Sequence, residues 1–335
     1  LVTCEPLGKK RLLAYGGAWT GEFQGEEKRG MTEQGQTGRL ADSGAAGVAP
    51  ELARRVFGFV EPIHAMIYFC PHAPRAYARV GIRDARMGYL ASRSAALGPV
   101  PAEVTIATFF NFSPQLVRQH IPAAWGIAPP KSILAARLDA ADLALRQIWG
   151  DRVSAPQTKE VADLARRAAE AAAARPEGRP LFAAHAALDW PDQPHLVLWH
   201  AQTLLREFRG DGHVAILNAE GLDAVEALVV HSATGEVSPQ LLTSTRGWSQ
   251  EEWDAGVERV RSRGWLEPGP ELDLSPKGWE HRQMVEDRTD ALTLPAYRAL
   301  GEEGCQRLIE MVRPLSKAVI DSGFVPFVRR STGPL

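Results

Sequence analysis

The stretch "LLREFRGDGHVAIL", residues 204–217, puts five charged or titratable side chains between two apolar ends. Read as a helix, His200, Thr203 and Glu207 fall at i, i+3 and i+7 and share one stripe beside an apolar face made by Val197, Ala201, Leu204, Leu205 and Phe208. Buried charge is expensive unless it is paired or used. A histidine and a carboxylate in such a setting can exchange protons, and Arg206 and Arg209 nearby can hold an anionic group. Asp211 lies between Gly210 and Gly212, and His213 follows. Two readings stand side by side. In the first, Gly210–Gly212 make a tight turn between two helices, Asp211 caps the second, His213 sits in its first turn, and Arg206 and Arg209 neutralise the carbonyls ending the first. In the second, His213 folds back beside Glu207 and the set binds a small ligand or performs acid–base chemistry. A metal centre is not expected, because the spacing His200…Glu207…His213 lacks an i, i+4 pair and crosses a turn.

Outside this stretch, Tyr89 and Arg93 are i and i+4 and share a helix face, where they either line the same pocket or stack on each other. His64, inside "EPIHAMIYF", is expected to be a satisfied core histidine. Asn111 is expected to serve a turn and Trp125 to pack. The candidate ligand-binding residues are therefore His200, Thr203, Arg206, Glu207, Arg209, Asp211, His213, Tyr89 and Arg93. They name no catalytic residue, cofactor or reaction class, and leave open whether the protein is an enzyme. The chain has no P-loop, no GxGxxG after a strand, no HExxH and no GxSxG elbow.

The elements that must position these residues are mainly helical. "PELARRVFGFVEPIHAMIYF" opens with proline at a first turn and carries Pro62 as a kink or break. "RDARMGYLASRSAALG" stops at Gly98-Pro99, and "SPQLVRQHIPAAWG" has Ser113 as cap and Pro114 at the first helical position. "PAEVTIATFFNF" reads equally as a helix or a buried strand. "PPKSILAARLDAADLALRQIWG" is a clean amphipathic helix. The alanine-rich "TKEVADLARRAAEAAAARPEGRP" ends in a Pro/Gly linker, where a domain boundary is expected. "DWPDQPHLVLWHAQTLLREFRG" follows, with Asp192 or Gln193 as cap, burial nearly all round and a stop at Gly210.

Bulk properties exclude several classes. With 335 residues and 45% hydrophobic content, the chain can build a core without disulfides or metal clips. A net charge of −2 gives no global basic field for nucleic acid or an anionic membrane. Cys4, Cys70 and Cys305 are too far apart for a CxxC zinc pattern, which fits a reducing, cytoplasmic setting. No apolar run reaches the roughly 18 residues of a membrane span. Residues 1–30 lack sustained periodicity, and Gly25-Glu26-Glu27-Lys28 is what a purine-rich ribosome-binding site would encode, so Met31 is expected to be the true start. The expected organisation is a disordered leader at 1–49, a helical domain at 50–175, a second domain at 181–323 and a tail at 324–335.

The second domain carries the clearest order: a helix ending at Gly235, the short "SPQLLTSTRG", the capped "SQEEWDAGVERVRSRGWL", a two-stranded wing across "WLEPGPELDLSPKGWEHR", and a long segment from Lys277 to about Ser322, broken near Pro295. That is the order of a winged helix-turn-helix. "RVRSRGWLEPGPELDLSPKGWE" resembles the recognition helix and wing of MarR-type regulators. Through "GYLASRSAALGPV", "AAWGIAPP", "LWHAQTLLREFRGDGHVAIL" and "SRGWLEPG", residues 50–323 also resemble an actinobacterial family with a winged-helix-like C-terminal half. The resemblance implies a fold and no reaction.

A winged helix reads DNA with the N-terminal residues of its recognition helix. Here they are Gln250, Glu251, Glu252, Trp253 and Asp254. Residues 249–263 set four acids against three arginines at the far end, and the wing adds Glu267, Glu271 and Asp273 before Lys277. Carboxylates repel a polyanion whose affinity depends on Lys and Arg. The favoured expectation is a small-molecule pocket between two domains, with DNA a less favoured partner. The alternatives are a MarR-like regulator, dimeric through its long last helix, and an interaction scaffold using the acidic wing.

Overall fold

A computed structural model describes residues 47–325. The expected start at Met31, nearly all of the expected leader and most of the tail lie outside these residues. Among the described residues, fifteen α-helices run in chain order. The first nine are α1 (Pro50–Ala65), α2 (His72–Arg79), α3 (Ala85–Ser94), α4 (Ala102–Phe109), α5 (Pro114–His120), α6 (Ala123–Ile127), α7 (Pro130–Trp149), α8 (Pro156–Ala173) and α9 (Pro180–Ala186). They are followed by α10 (Pro194–Ala219), α11 (Ala224–Ser232), α12 (Pro239–Arg246), α13 (Gln250–Ser262), α14 (Pro276–Arg298) and α15 (Gly301–Asp321). The ambiguous "PAEVTIATFFNF" resolves as helix α4.

Proline opens α1, α5, α7, α8, α10 and α14, where its missing N–H costs nothing. Asp84, Asp223, Ser238, Ser249 and Ser275 cap the helices that follow them. Ser249 and Glu252 form the expected capping box. Ser113 occupies its cap position without a side-chain bond. Pro62 and Pro295 lie inside α1 and α14 without ending them. The break expected near Pro295 comes instead at Gly301, whose φ of 67° lies in the left-handed region that favours glycine.

The main departure is at the opening stretch. α10 runs unbroken from Pro194 to Ala219, so the expected turn at Gly210–Gly212 does not form. Two glycines inside a helix cost about 1 kcal/mol each. Packing offsets this, because α10 is the central helix and is buried almost all round from His195 to Gly212. α8 lies along it through the buried Ala162, Ala165, Ala169 and Ala172, whose small side chains permit close approach. A Cβ at Gly212 would stand 3.6 Å from both the Arg179 guanidinium and Leu292.

The two-stranded wing is also corrected. No strand occurs among the described residues, and the hairpin is a single antiparallel bridge between Leu266 and Leu274. The Glu267 N–H donates to the Asp273 carbonyl and the Ser275 N–H to the Trp265 carbonyl, and Pro268 and Pro270, with φ fixed by their rings, then take the chain into the turn.

Buried apolar side chains form two clusters. The larger runs through α1–α10 and takes in Tyr297, Cys305 and Val312 of the last two helices, so it draws on both the 50–175 and the 181–323 segments. The smaller joins the end of α10 to α11–α14 around Val229, Trp253, Val260 and Val285. α10 passes from one to the other. The apolar face of α15 packs on α1 and α8 within the chain, so the last helix offers no free apolar seam for the expected dimer. Among the described residues no helix is long and apolar enough to cross a membrane.

Candidate functional site

A cleft with a volume of about 100 Å³ opens where α10 leaves the larger cluster for the smaller. One wall is α10 itself, from Arg206 to Leu217. The opposite wall is built by Ala227, Val230 and His231 of α11 and by Arg282 and Val285 of α14. Phe110 and Asn111 close a third side. Phe110 is the one described non-glycine residue with positive φ, 57°, a strained conformation held by its place at this junction.

Six of the nine sequence candidates line the cleft: Arg93, Arg206, Glu207, Arg209, Asp211 and His213. Their charges are not helix caps. They belong to a buried network that ties α10 to α1, α3 and α14. Glu207 lies 3.5 Å from Arg93 Nη2 and accepts from Arg206 Nη1 at 3.2 Å. Arg206 Nε also donates to Glu61 at 2.9 Å. Arg209 donates to Asp290 at 2.5 Å and Glu286 at 2.8 Å, and Glu286 also pairs with Arg282. Burial alone would push the Glu207 carboxyl up, but Arg93 and Arg206 override it and hold it below the ordinary carboxylate value. The same contest takes Glu286 down to about 2, through Arg282, His213 and Arg209.

Asp211 differs. Its Oδ2 accepts the Phe182 N–H at 2.9 Å, so it caps the start of α9, a neighbour in space, and not the next helix in sequence. Arg179 is its nearest cationic influence, and burial dominates, pushing its pKa up to about 7. His213 meets Thr289 Oγ1 at 3.0 Å and does not fold back to Glu207. Burial pulls His213 down to about 4 and His231, also on the cleft, down to about 3, so both rings are neutral. The cleft thus combines apolar walls, four arginines largely compensated by carboxylates, the imidazoles of His213, His231 and His281, each lowered from its ordinary value by burial, and one carboxyl poised near neutrality.

The remaining candidates face elsewhere. Thr203 Oγ1 meets His64 Nδ1 at 2.9 Å and His64 Nε2 meets Tyr68 at 2.8 Å, so His64 is the satisfied core histidine expected. His200 sits edge-on to Trp190 at 4.8 Å. Tyr89 accepts from Arg93 Nη1 at 3.3 Å but stays off the cleft. The stripe was real, yet seven residues of helix span about 10 Å. Residues on one stripe two turns apart meet different neighbours. Sequence reasoning missed His231 and Arg282, whose spacing gave no hint of the cleft, and Phe110, whose backbone conformation no residue type signals. Among the described residues no group of His, Cys, Asp or Glu is placed to hold a metal ion.

Beyond this wall, α13 exposes Glu251, Glu252, Asp254 and Glu258. Its arginines are paired within the chain: Arg259 with Asp223 at 2.7 Å, Arg261 with Glu258 at 2.7 Å, and Arg263, just past its end, with Glu226 at 3.0 Å. The turn between α12 and α13 is docked on the bundle. The Arg246 carbonyl accepts from Ser113 N–H at 2.8 Å, and Trp248 Nε1 donates to the Asn111 carbonyl at 3.0 Å. A Cβ on Gly247 would come within 2.8 Å of Leu116.

The model of the helix-turn-helix family matches residues 53–326, the bundle as well as the α11–α14 unit. No curated protein and no solved structure matches the chain.

Proposed function

The chain belongs to this helix-turn-helix family, and from the cleft we propose that it is a small-molecule-binding protein whose ligand sits between α10 and the α11 and α14 helices. The observation that carries the reading is the cleft itself, with five candidate side chains on the α10 wall, Arg93 of α3 beside them, and α11 and α14 opposite. Its apolar walls suit a partly apolar molecule, and its convergent polar groups would orient it. No cofactor is assigned and no reaction step is derived.

A thermal-shift screen of small organic molecules against the full chain tests this reading. Binding to the folded state alone raises the melting temperature. Ala227→Phe, which fills the α11 wall, is expected to abolish the shift for genuine cleft ligands while circular dichroism stays unchanged. Ligands that stabilise wild type and variant equally would place binding elsewhere.

The second reading is a DNA-binding regulator, and family membership favours it more directly than it favours the cleft. In that reading the cleft would hold an effector, and α13 would enter a major groove. The exposed acids of α13 and its internally paired arginines speak for the first reading.

A further inference from the structure

A buried cation of the bundle makes no ion pair among the described residues. Arg137, on α7, is 2% exposed, and its Nη1 donates to the Ser92 carbonyl at 3.0 Å. Its Nε and Nη2 have no hydrogen-bond partner, and among the described residues no carboxylate forms an ion pair with it. The contrast with its neighbours is sharp, since Arg206 and Arg209 each meet carboxylates within hydrogen-bond distance. The Tyr68 and Trp199 rings lie 5.8 and 5.3 Å from the Arg137 guanidinium carbon, which compensates the charge only in part. An uncompensated buried charge is strongly destabilising.

The unpartnered atoms are not scattered. Nε and Nη2 lie on one edge of the planar guanidinium and present two parallel N–H donors, the fork that matches the two oxygens of a carboxylate. Trp199 Nε1, on the ring beside the guanidinium, is a third buried donor without a partner. His185 Nε2 and His200 Nε2 are likewise unpartnered. After burial, the charge of Arg137 is the largest influence lowering these two imidazoles, to about 3 and about 4, so both are neutral and bring no charge to the cluster. Glu207 acts on Arg137 only from a distance and is itself paired with Arg93 and Arg206, which leaves the charge of Arg137 without a partner of its own.

From the free edge of Arg137 and the adjacent Trp199 indole, we infer that the bundle holds a second binding site, which takes the carboxylate group of a small molecule. A carboxylate brings one negative charge to one positive charge and fits the fork, whereas a phosphate dianion would leave excess negative charge buried. Arg137, Trp199, His185 and His200 do not line the cleft between α10 and α11, so this site is separate from the one proposed above.

The test uses the full chain titrated with sodium formate and sodium acetate, with sodium chloride holding ionic strength constant. The readouts are calorimetry and the indole N–H resonance of Trp199, assigned by its disappearance in Trp199→Phe. The expected result is a saturable shift of that resonance, with affinity at least tenfold weaker in Arg137→Lys, which keeps the charge and loses the fork. If Arg137→Lys does not fold, Trp199→Phe decides by calorimetry, since it keeps an aromatic face and removes the third donor, and a severalfold weaker affinity is expected. No saturable response in the wild type overturns the inference. So does unchanged affinity in the deciding variant, or a phosphate affinity equal to that for formate.

Discussion

Replacing Glu207 by alanine is expected to remove about 3–5 kcal/mol of folding stability, the cost of breaking a buried ion pair from one side. Glu207 is 2% exposed and faces Arg93 and Arg206 at once. Its removal leaves two buried guanidinium groups with Glu61 as the nearest carboxylate of the network. Neither cation can shed its proton, so the penalty cannot be escaped by titration. Glu207→Gln keeps two acceptor sites on one oxygen and is expected to cost less. Urea unfolding checks both, as a fall in midpoint with unchanged slope. A loss below about 1 kcal/mol for the alanine variant, the range of exposed pairs, would mean that the network is solvated and that Glu207 is not its keystone.

Asp211→Asn is expected to change how stability depends on pH. The Asp211 carboxyl is raised from 3.8 to about 7 by burial. A raised carboxyl contributes stability that is complete below pH ~4 and is lost as pH climbs through ~7, because ionisation then occurs in a desolvated site. About three pKa units correspond to about 4 kcal/mol across that window. Asparagine keeps an acceptor for the Phe182 N–H and cannot ionise. The variant should therefore gain about 4 kcal/mol relative to wild type between pH 4 and pH 8. The buried neutral histidines act in the opposite sense. His213 and His231, lowered to about 4 and about 3, give stability that is present above ~6.5 and lost as the solution turns acid. Both proteins carry them, so the difference between the two pH profiles isolates Asp211. A flat difference would show that Arg179 and the α9 amides hold the carboxylate ionised throughout.

Much of the architecture was legible in single residues. Prolines at helix starts, the Ser249/Glu252 capping box and the amphipathic spacing of α7 each specify a local conformation that the fold keeps. The misreadings share a physical cause. "GDG" has the chemistry of a turn, and only the packing of α8, α9 and α14 around α10 makes two interior glycines tolerable. The wing had the alternation of a hairpin, but Pro268 and Pro270 take the chain into the turn after one bridge. At the site, the sequence placed Arg206, Glu207 and Arg209 together because they lie within one helical turn. It could not assign their partners Glu61, Glu286 and Asp290, which arrive from helices far away along the chain. Arg137 gave no signal at all, since an arginine in an amphipathic helix ordinarily faces water.

The helix-turn-helix of this chain serves either the cleft or a DNA groove. Selection of bound duplexes from a random-sequence pool by the full chain, at about 0.15 M salt, answers this directly. With Glu251, Glu252, Asp254 and Glu258 facing outward, the predicted result is no enriched motif and affinity no tighter than the roughly micromolar range of non-specific binding. An enriched motif bound at about 10 nM or tighter, and lost when α13 residues are substituted, would contradict the account and establish DNA as the partner.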